Sequence, residues 1–127
     1  MRIMAVDYGR KRVGIASTDE SGRFALPRMV LSNNKDLIKE VVKMSEEDNI
    51  DTIVIGESMN LDGIPNPIHK DILEFKSLLE QKGLRVALHP EVYTSQEASR
   101  LQGESDMLDA SAAALILKSY IDSHDNN

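Results

Sequence analysis

Cysteine is absent from the 127 residues, which excludes disulfides and thiolate zinc sites and fits a reducing cytoplasm. Aromatic residues make up only 4%, and no platform for stacking bases is evident beyond Tyr8 and Tyr93. No apolar run approaches the roughly 18 residues that a membrane span requires. Met1-Arg2-Ile3 leads directly into a strand-like segment, leaving no room for a signal peptide ahead of it. The three histidines, His69, His89 and His124, are not at metal-ligand spacing, and they read as surface or packing residues. Repeats, linkers and low-complexity segments are also missing, so residues 1–122 are expected to form a single domain, followed by a disordered polar tail at 123–127.

A surplus of positive charge is lacking too. The net charge is −6, which argues against a strongly basic nucleic-acid binder. Its distribution is uneven, however. Residues 1–35 carry seven Lys/Arg against three Asp/Glu, whereas the remainder holds eight basic and eighteen acidic residues. Such asymmetry marks one face for a polyanion or simply a solvated surface.

The chain is organised around Ile3-Met4-Ala5-Val6-Asp7-Tyr8-Gly9, which continues into Arg10-Lys11-Arg12-Val13-Gly14-Ile15-Ala16. It reads as an apolar strand (about 2–7), a charged tight turn and a second apolar strand (about 13–18). Gly9 is expected to supply a positive φ in that turn. Asp7 sits at the tip of the first strand, either as a ligand for a cation or as the first residue of an Asx turn. A third strand at 23–32 contains Pro27, which predicts an edge position or a bulge.

The apolar period then becomes helical through Leu37, Ile38, Val41, Val42 and Met44, with Asn33 or Asn34 as the cap. Residues 52–56 are a continuous apolar run, the pattern of a buried parallel strand. A second amphipathic helix runs from Pro67 to a stop at Gly83, and residues 84–88 are a fifth strand. Thr94-Ser95-Gln96-Glu97 has capping-box spacing for a helix towards Gln102, and residues 107–121 are a last helix, Ala-rich on one side and Leu/Ile-rich on the other. This order predicts an α/β fold with a mixed five-stranded sheet, an antiparallel meander of the first three strands joined to parallel fourth and fifth strands, and flanking helices.

In such a sheet the C-terminal ends of the first, fourth and fifth strands share one edge, where ligands bind. Asp7, Glu57 and Glu91 fall at or just past those ends. Carboxylates converging without His or Cys favour Mg²⁺ or Mn²⁺, which serve phosphodiester displacement. Asp109 is either a further ligand or an N3 residue in a helix capped by Asp106.

Four ordered segments resemble the YqgF/RuvX family, Holliday junction resolvases and pre-16S rRNA nucleases with a ribonuclease H-like fold. They are Val6-Asp7-Tyr8-Gly9-x-Lys11-Arg12-Val13-Gly14-Ile15-Ala16, Ile53-Val54-Ile55-Gly56 with Met59-Asn60-Leu61-Asp62-Gly63, Glu91 with Thr94, Ser95, Glu97 and Ala98, and Asp109-Ala110-x-Ala112-Ala113-x-x-Ile116-Leu117-x-x-Tyr120. The resemblance implies that Asp7, Glu91 and Asp109 are catalytic, metal-binding acids using Mg²⁺ or Mn²⁺. It places Arg10, Lys11, Arg12, Thr94 and Ser95 against nucleic acid. The implied partner is structured RNA or branched DNA, with no membrane involved, in a cytoplasmic monomer or homodimer.

The implied activity is an endonuclease hydrolysing phosphodiesters, in 5′-end processing of pre-16S rRNA or resolution of Holliday junctions. The alternative is a non-catalytic nucleic-acid-binding or ribosome-assembly factor. An actin-like phosphotransferase is disfavoured by length, since those enzymes clasp nucleotide between two such domains. This chain departs from the family pattern in having Pro90-Glu91-Val92 around its acid, an additional acid at Glu57, and an acidic Gln102-Gly103-Glu104-Ser105-Asp106 before the last helix where the family is often Lys/Arg-rich.

Overall fold

The computed structural model describes residues 1–59, 67–92 and 107–125. Its strands are β1 (Ile3–Tyr8), β2 (Arg12–Thr18), β3 (Ala25–Ser32), β4 (Thr52–Met59) and β5 (Val86–Val92), and its helices are α1 (Leu37–Glu47), α2 (His69–Gln81) and α3 (Met107–Asp125). The sheet order is β3-β2-β1-β4-β5. The first three strands pair antiparallel, while β4 runs parallel to both β1 and β5, as the sequence predicts. Pro27 lies on edge strand β3 opposite Ala16, next to a register shift. A missing N–H is tolerated at such a position.

Both faces of the sheet are covered, and strand alternation sorts the side chains between them. Met4, Val6, Val13, Ile15, Ile53 and Ile55 pack with Leu37 and Val41 of α1 and Ile72, Phe75 and Leu79 of α2. Ile3, Ala5, Ala16 and Val54 pack on the opposite side with Ala113, Ile116, Leu117 and Ile121 of α3. Each large aliphatic side chain buried this way contributes about 1.5–3 kcal/mol. The helices of the first face stop sharply. Asn49, at φ 53°, and Gly83, at φ 87°, occupy left-handed positions. Ile50 N–H donates to Ser45 O and Leu84 N–H to Leu79 O, the long bond of a Schellman stop in each case.

The structure corrects several expectations. Asn34 does not cap α1 but forms an Asx turn ahead of it, accepting from Asp36 N–H at 2.9 Å. Strands β4 and β5 outlast their apolar runs, because the polar segments 57–59 and 89–92 still pair through their backbones. Residues 123–125, expected in a disordered tail, continue α3. Ser123 Oγ donates to Tyr120 O at 2.9 Å, and the His124 ring lies 4.1 Å from that of Tyr120. The expected helix from Thr94 lies outside the described residues, as do residues 60–66.

The apolar faces of α3 are also rearranged. Ala110, Ala113, Ile116, Leu117 and Ile121 share the sheet side, while Leu115 is 54% exposed. Ile116→Ala should therefore cost about 2–5 kcal/mol in urea unfolding, and Leu115→Ala no more than about 0.5 kcal/mol. Equal costs would contradict this orientation of α3.

Candidate functional site

The turn between β1 and β2 holds Arg10 and Lys11, and Arg12 opens β2 directly after it. Gly9 is needed there, but not for a positive φ, which among the described glycines belongs to Gly22 and Gly83. A Cβ at Gly9 would sit 2.5 Å from the Arg12 carbonyl oxygen, so the requirement is close backbone approach. Asn33, just past the end of β3, clamps the turn from outside. Its Nδ2 donates to Gly9 O at 2.7 Å, and its backbone N–H donates to Lys11 O at 2.9 Å. The three cationic residues are thus carried on a braced loop, with all three exposed to solvent.

Asp7, partly buried, continues the row of Ile3 and Ala5 on the α3 side of the sheet. Its partner on β2 is Gly14. The β1–β4 register ends at Val6 opposite Ile55, so the next level sets Asp7 beside Gly56, which in turn pairs with His89. The row across this face therefore reads Gly14, Asp7, Gly56, His89. Glycine inside a strand marks a place where a ligand or another backbone comes close. Here two such positions flank a carboxylate on the central strand. Sequence reading missed their role, although two glycines interrupting apolar strands at matched depth were a usable signal.

His89 closes the row against α3. Its Nε2 lies 2.9 Å from Ser119 Oγ, and its ring meets Tyr120 edge-on at 5.8 Å. Desolvation, with a smaller contribution from His124, lowers its pKa below the ordinary histidine value of 6.5.

Glu57 is on the other side. It continues the row of Ile53 and Ile55, facing α2. Its Oε2 is 2.7 Å from His69 Nε2, and the two side chains are only 16% and 20% exposed. A one-residue difference in parity thus separates Glu57 from Asp7 by the thickness of the sheet. Glu57, expected as a possible additional acid, therefore lies on the face opposite Asp7 and contacts His69 there.

Residues 1–123 match the family model for RuvX, described as Holliday junction resolvase. The chain belongs to the RuvX family. It is 31% identical to a protein of Thermoanaerobacter pseudethanolicus named "Putative pre-16S rRNA nuclease", over 99% of both chains. A protein of the same name from Burkholderia multivorans is 34% identical over 94% of this chain and 88% of its own. In fold, the chain resembles Thermus thermophilus RuvC, with a TM-score of 0.61 at 9% identity, covering 99% of this chain and 97% of that one. It also resembles the Fowlpox virus Holliday junction resolvase, with a TM-score of 0.59 at 17% identity over 97% and 99% of the two chains.

In this RuvX chain the remaining expected site residues are placed by backbone alone or not at all. Glu91 is the penultimate residue of β5, opposite Ser58, and Asp109 is the third residue of α3; both side chains lie outside the described residues. Thr94 and Ser95 lie wholly outside them. Among the described residues no three Asp, Glu or His side chains gather closely enough to hold a metal. With Glu57 bonded to His69, Glu57→Gln should lower stability by about 1–2 kcal/mol through loss of a charge-assisted hydrogen bond. Any Mn²⁺-induced rise in melting temperature should be unchanged in that variant. A lost Mn²⁺ response would return Glu57 to the metal site.

Proposed function

We propose that this RuvX chain is a divalent-metal-dependent endonuclease that processes a structured precursor of 16S rRNA. The observation that carries the reading is Asp7, held on the central strand between two glycine positions at the ligand-binding edge of the sheet. Relatives at about one-third identity carry the pre-16S rRNA name, whereas the junction resolvases share the fold at far lower identity. RNA is therefore favoured over branched DNA. Work on a ribosomal precursor also suits a cysteine-free chain of the cytoplasm.

We assign Asp7, Glu91 and Asp109 as the acids. Position 91 falls in the same alternating row of β5 as His89, which meets α3. Position 109 stands one helical repeat ahead of Ala113 and two ahead of Ile116, both on the sheet side. An oxygen-only donor set with small neighbours suits Mg²⁺ or Mn²⁺ and not a soft metal. When bound, such an ion supplies charge neutralisation at a phosphodiester. The chain's own contribution is to fix the Asp7 carboxylate through the ladders on both sides of β1, and to bring phosphates to it with Arg10, Lys11 and Arg12 on the Asn33-braced turn.

The test is cleavage of a 5′-extended 16S precursor fragment in Mn²⁺, alongside thermal melting. Asp7→Asn should keep the fold, lose the Mn²⁺-induced stabilisation, and reduce cleavage by at least about a hundredfold. Replacing Arg10, Lys11 and Arg12 by Ala should flatten the dependence of log K on log salt by up to about 2.7 on duplex DNA. The competing binder reading is favoured by Glu104 and Asp106, acidic residues where cations would hold substrate. If Glu104→Lys with Asp106→Lys tightens binding and still nothing is cut, the chain is a binder. If cleavage rises, substrate capture alone was limiting.

A further inference from the structure

The residue after Asp7 faces the opposite side of the sheet, and what it meets there is unused by the chemistry above. The Tyr8 ring lies 5.0 Å from the Phe75 ring, tilted by 41°. Phe75 is 3% exposed and fully packed in the core, so it supports Tyr8 from below, while Tyr8 itself is only partly buried. Above this pair is a cavity of about 360 Å³ between the start of α1 and the first turns of α2. That volume is within the range of about 300–1,000 Å³ for small-ligand sites.

The lining has a definite chemistry. Asp71, Glu74, Phe75 and Leu78 recur at helical spacing, so they form one stripe of α2 along the cavity wall. Asp71 and Glu74 are exposed carboxylates, acceptors with no proton to donate. Asn34 and Lys35 line the opposite wall, ahead of α1. Two carboxylates repel a phosphate, so the group that enters is not the backbone of a nucleic acid. A flat ring with N–H donors on its edge satisfies both the aromatic floor and the acidic wall. Lys35 at the rim leaves a cation for a phosphate that stays outside.

We propose that this cavity is a subsite for one unpaired nucleobase of the substrate, stacked on Tyr8 and read by Asp71 and Glu74. The inference rests on the nuclease reading, which brings a phosphodiester to Asp7 on the other side of the same strand tip. Unpaired bases are the usual targets of aromatic stacking and edge recognition in RNA. Guanine is preferred, because its N1–H and N2 amine present two adjacent donors to a carboxylate. Adenine and cytosine offer one amine each. Uracil is disfavoured, because its single N–H is flanked by carbonyl oxygens that face the acids unfavourably. The substrate is thereby narrowed to a junction or loop in which a nucleotide beside the cut is unpaired and preferably guanosine.

The experiment is NMR titration of the full chain with guanosine 5′-monophosphate and with uridine 5′-monophosphate. The guanosine nucleotide should shift resonances of Tyr8, Ile38 and Leu78 saturably, with affinity about tenfold above that of the uridine nucleotide. Tyr8→Leu, which keeps an apolar contact for Phe75, should weaken binding about tenfold, the scale of one base stack. Asp71→Asn with Glu74→Gln, on an exposed helix face, should abolish the preference between the two nucleotides while leaving the fold intact. Shifts confined to the turn at 10–12, or a guanine preference that survives the double substitution, would overturn the proposal. Binding is read here without cleavage. A chain that fills the cavity and cuts no precursor removes the nuclease reading and keeps the base site. One that cuts precursor without any shift at Tyr8 removes the base site alone.

Discussion

Alternation along β1 is the constraint on which the top of this molecule depends. The strand is central, hydrogen-bonded on one side to antiparallel β2 and on the other to parallel β4. Both ladders fix its register, so neither its depth nor its facing can slip without moving Met4, Val6, Ile3 and Ala5 out of two cores at once. Asp7 and Tyr8 inherit that rigidity. A carboxylate and an aromatic ring, adjacent in sequence, are delivered to opposite faces of the same strand tip.

The turn that follows joins the two sides. Gly9 lets the backbone fold tightly onto Arg12, and Asn33 ties the turn to the strand end of β3 by two hydrogen bonds. The backbone beneath Arg10, Lys11 and Arg12 is therefore held, one short turn beyond the strand end that carries Asp7. Their location also explains the uneven charge of the chain. The positive surplus of residues 1–35 is concentrated in part on this turn, while the acids of the remainder serve other positions, including the cavity wall of α2. A net charge of −6 therefore coexists with a local run of three cations.

The meander, the buried parallel strand and the stop at Gly83 were legible because each has a strong local cause: apolar alternation, a continuous Ile/Val run, and a left-handed glycine. Pro27 likewise announced the edge strand. The face that Glu57 takes was hidden for a physical reason. Its depth along β4 could be read from sequence, but its face depends on parity relative to a partner strand, which no local pattern records. The role of Gly9 was hidden in the same way, since a positive φ and a close approach both select glycine. The buried face of α3 was obscured because Ala and Leu surround that helix, leaving its period weak. Of the candidate site, the charged turn and the placing of Asp7 and Glu91 at one sheet edge came from the strand pattern, the choice of Asp7, Glu91 and Asp109 as one set came from motif resemblance, and the glycine row, the Asn33 clamp and the Glu57–His69 pair required the register.

The central claim is that Asp7, Glu91 and Asp109 meet at one cation on the α3 side of the sheet. The most direct measurement is anomalous diffraction from a crystal soaked in Mn²⁺. The predicted result is one or more peaks within coordination distance of oxygens from all three residues, at about 2.1 Å as for a hard ion in an oxygen site. A map with no peak at Asp7, or with the ion held instead by Glu57 and His69 on the α2 side, would contradict it.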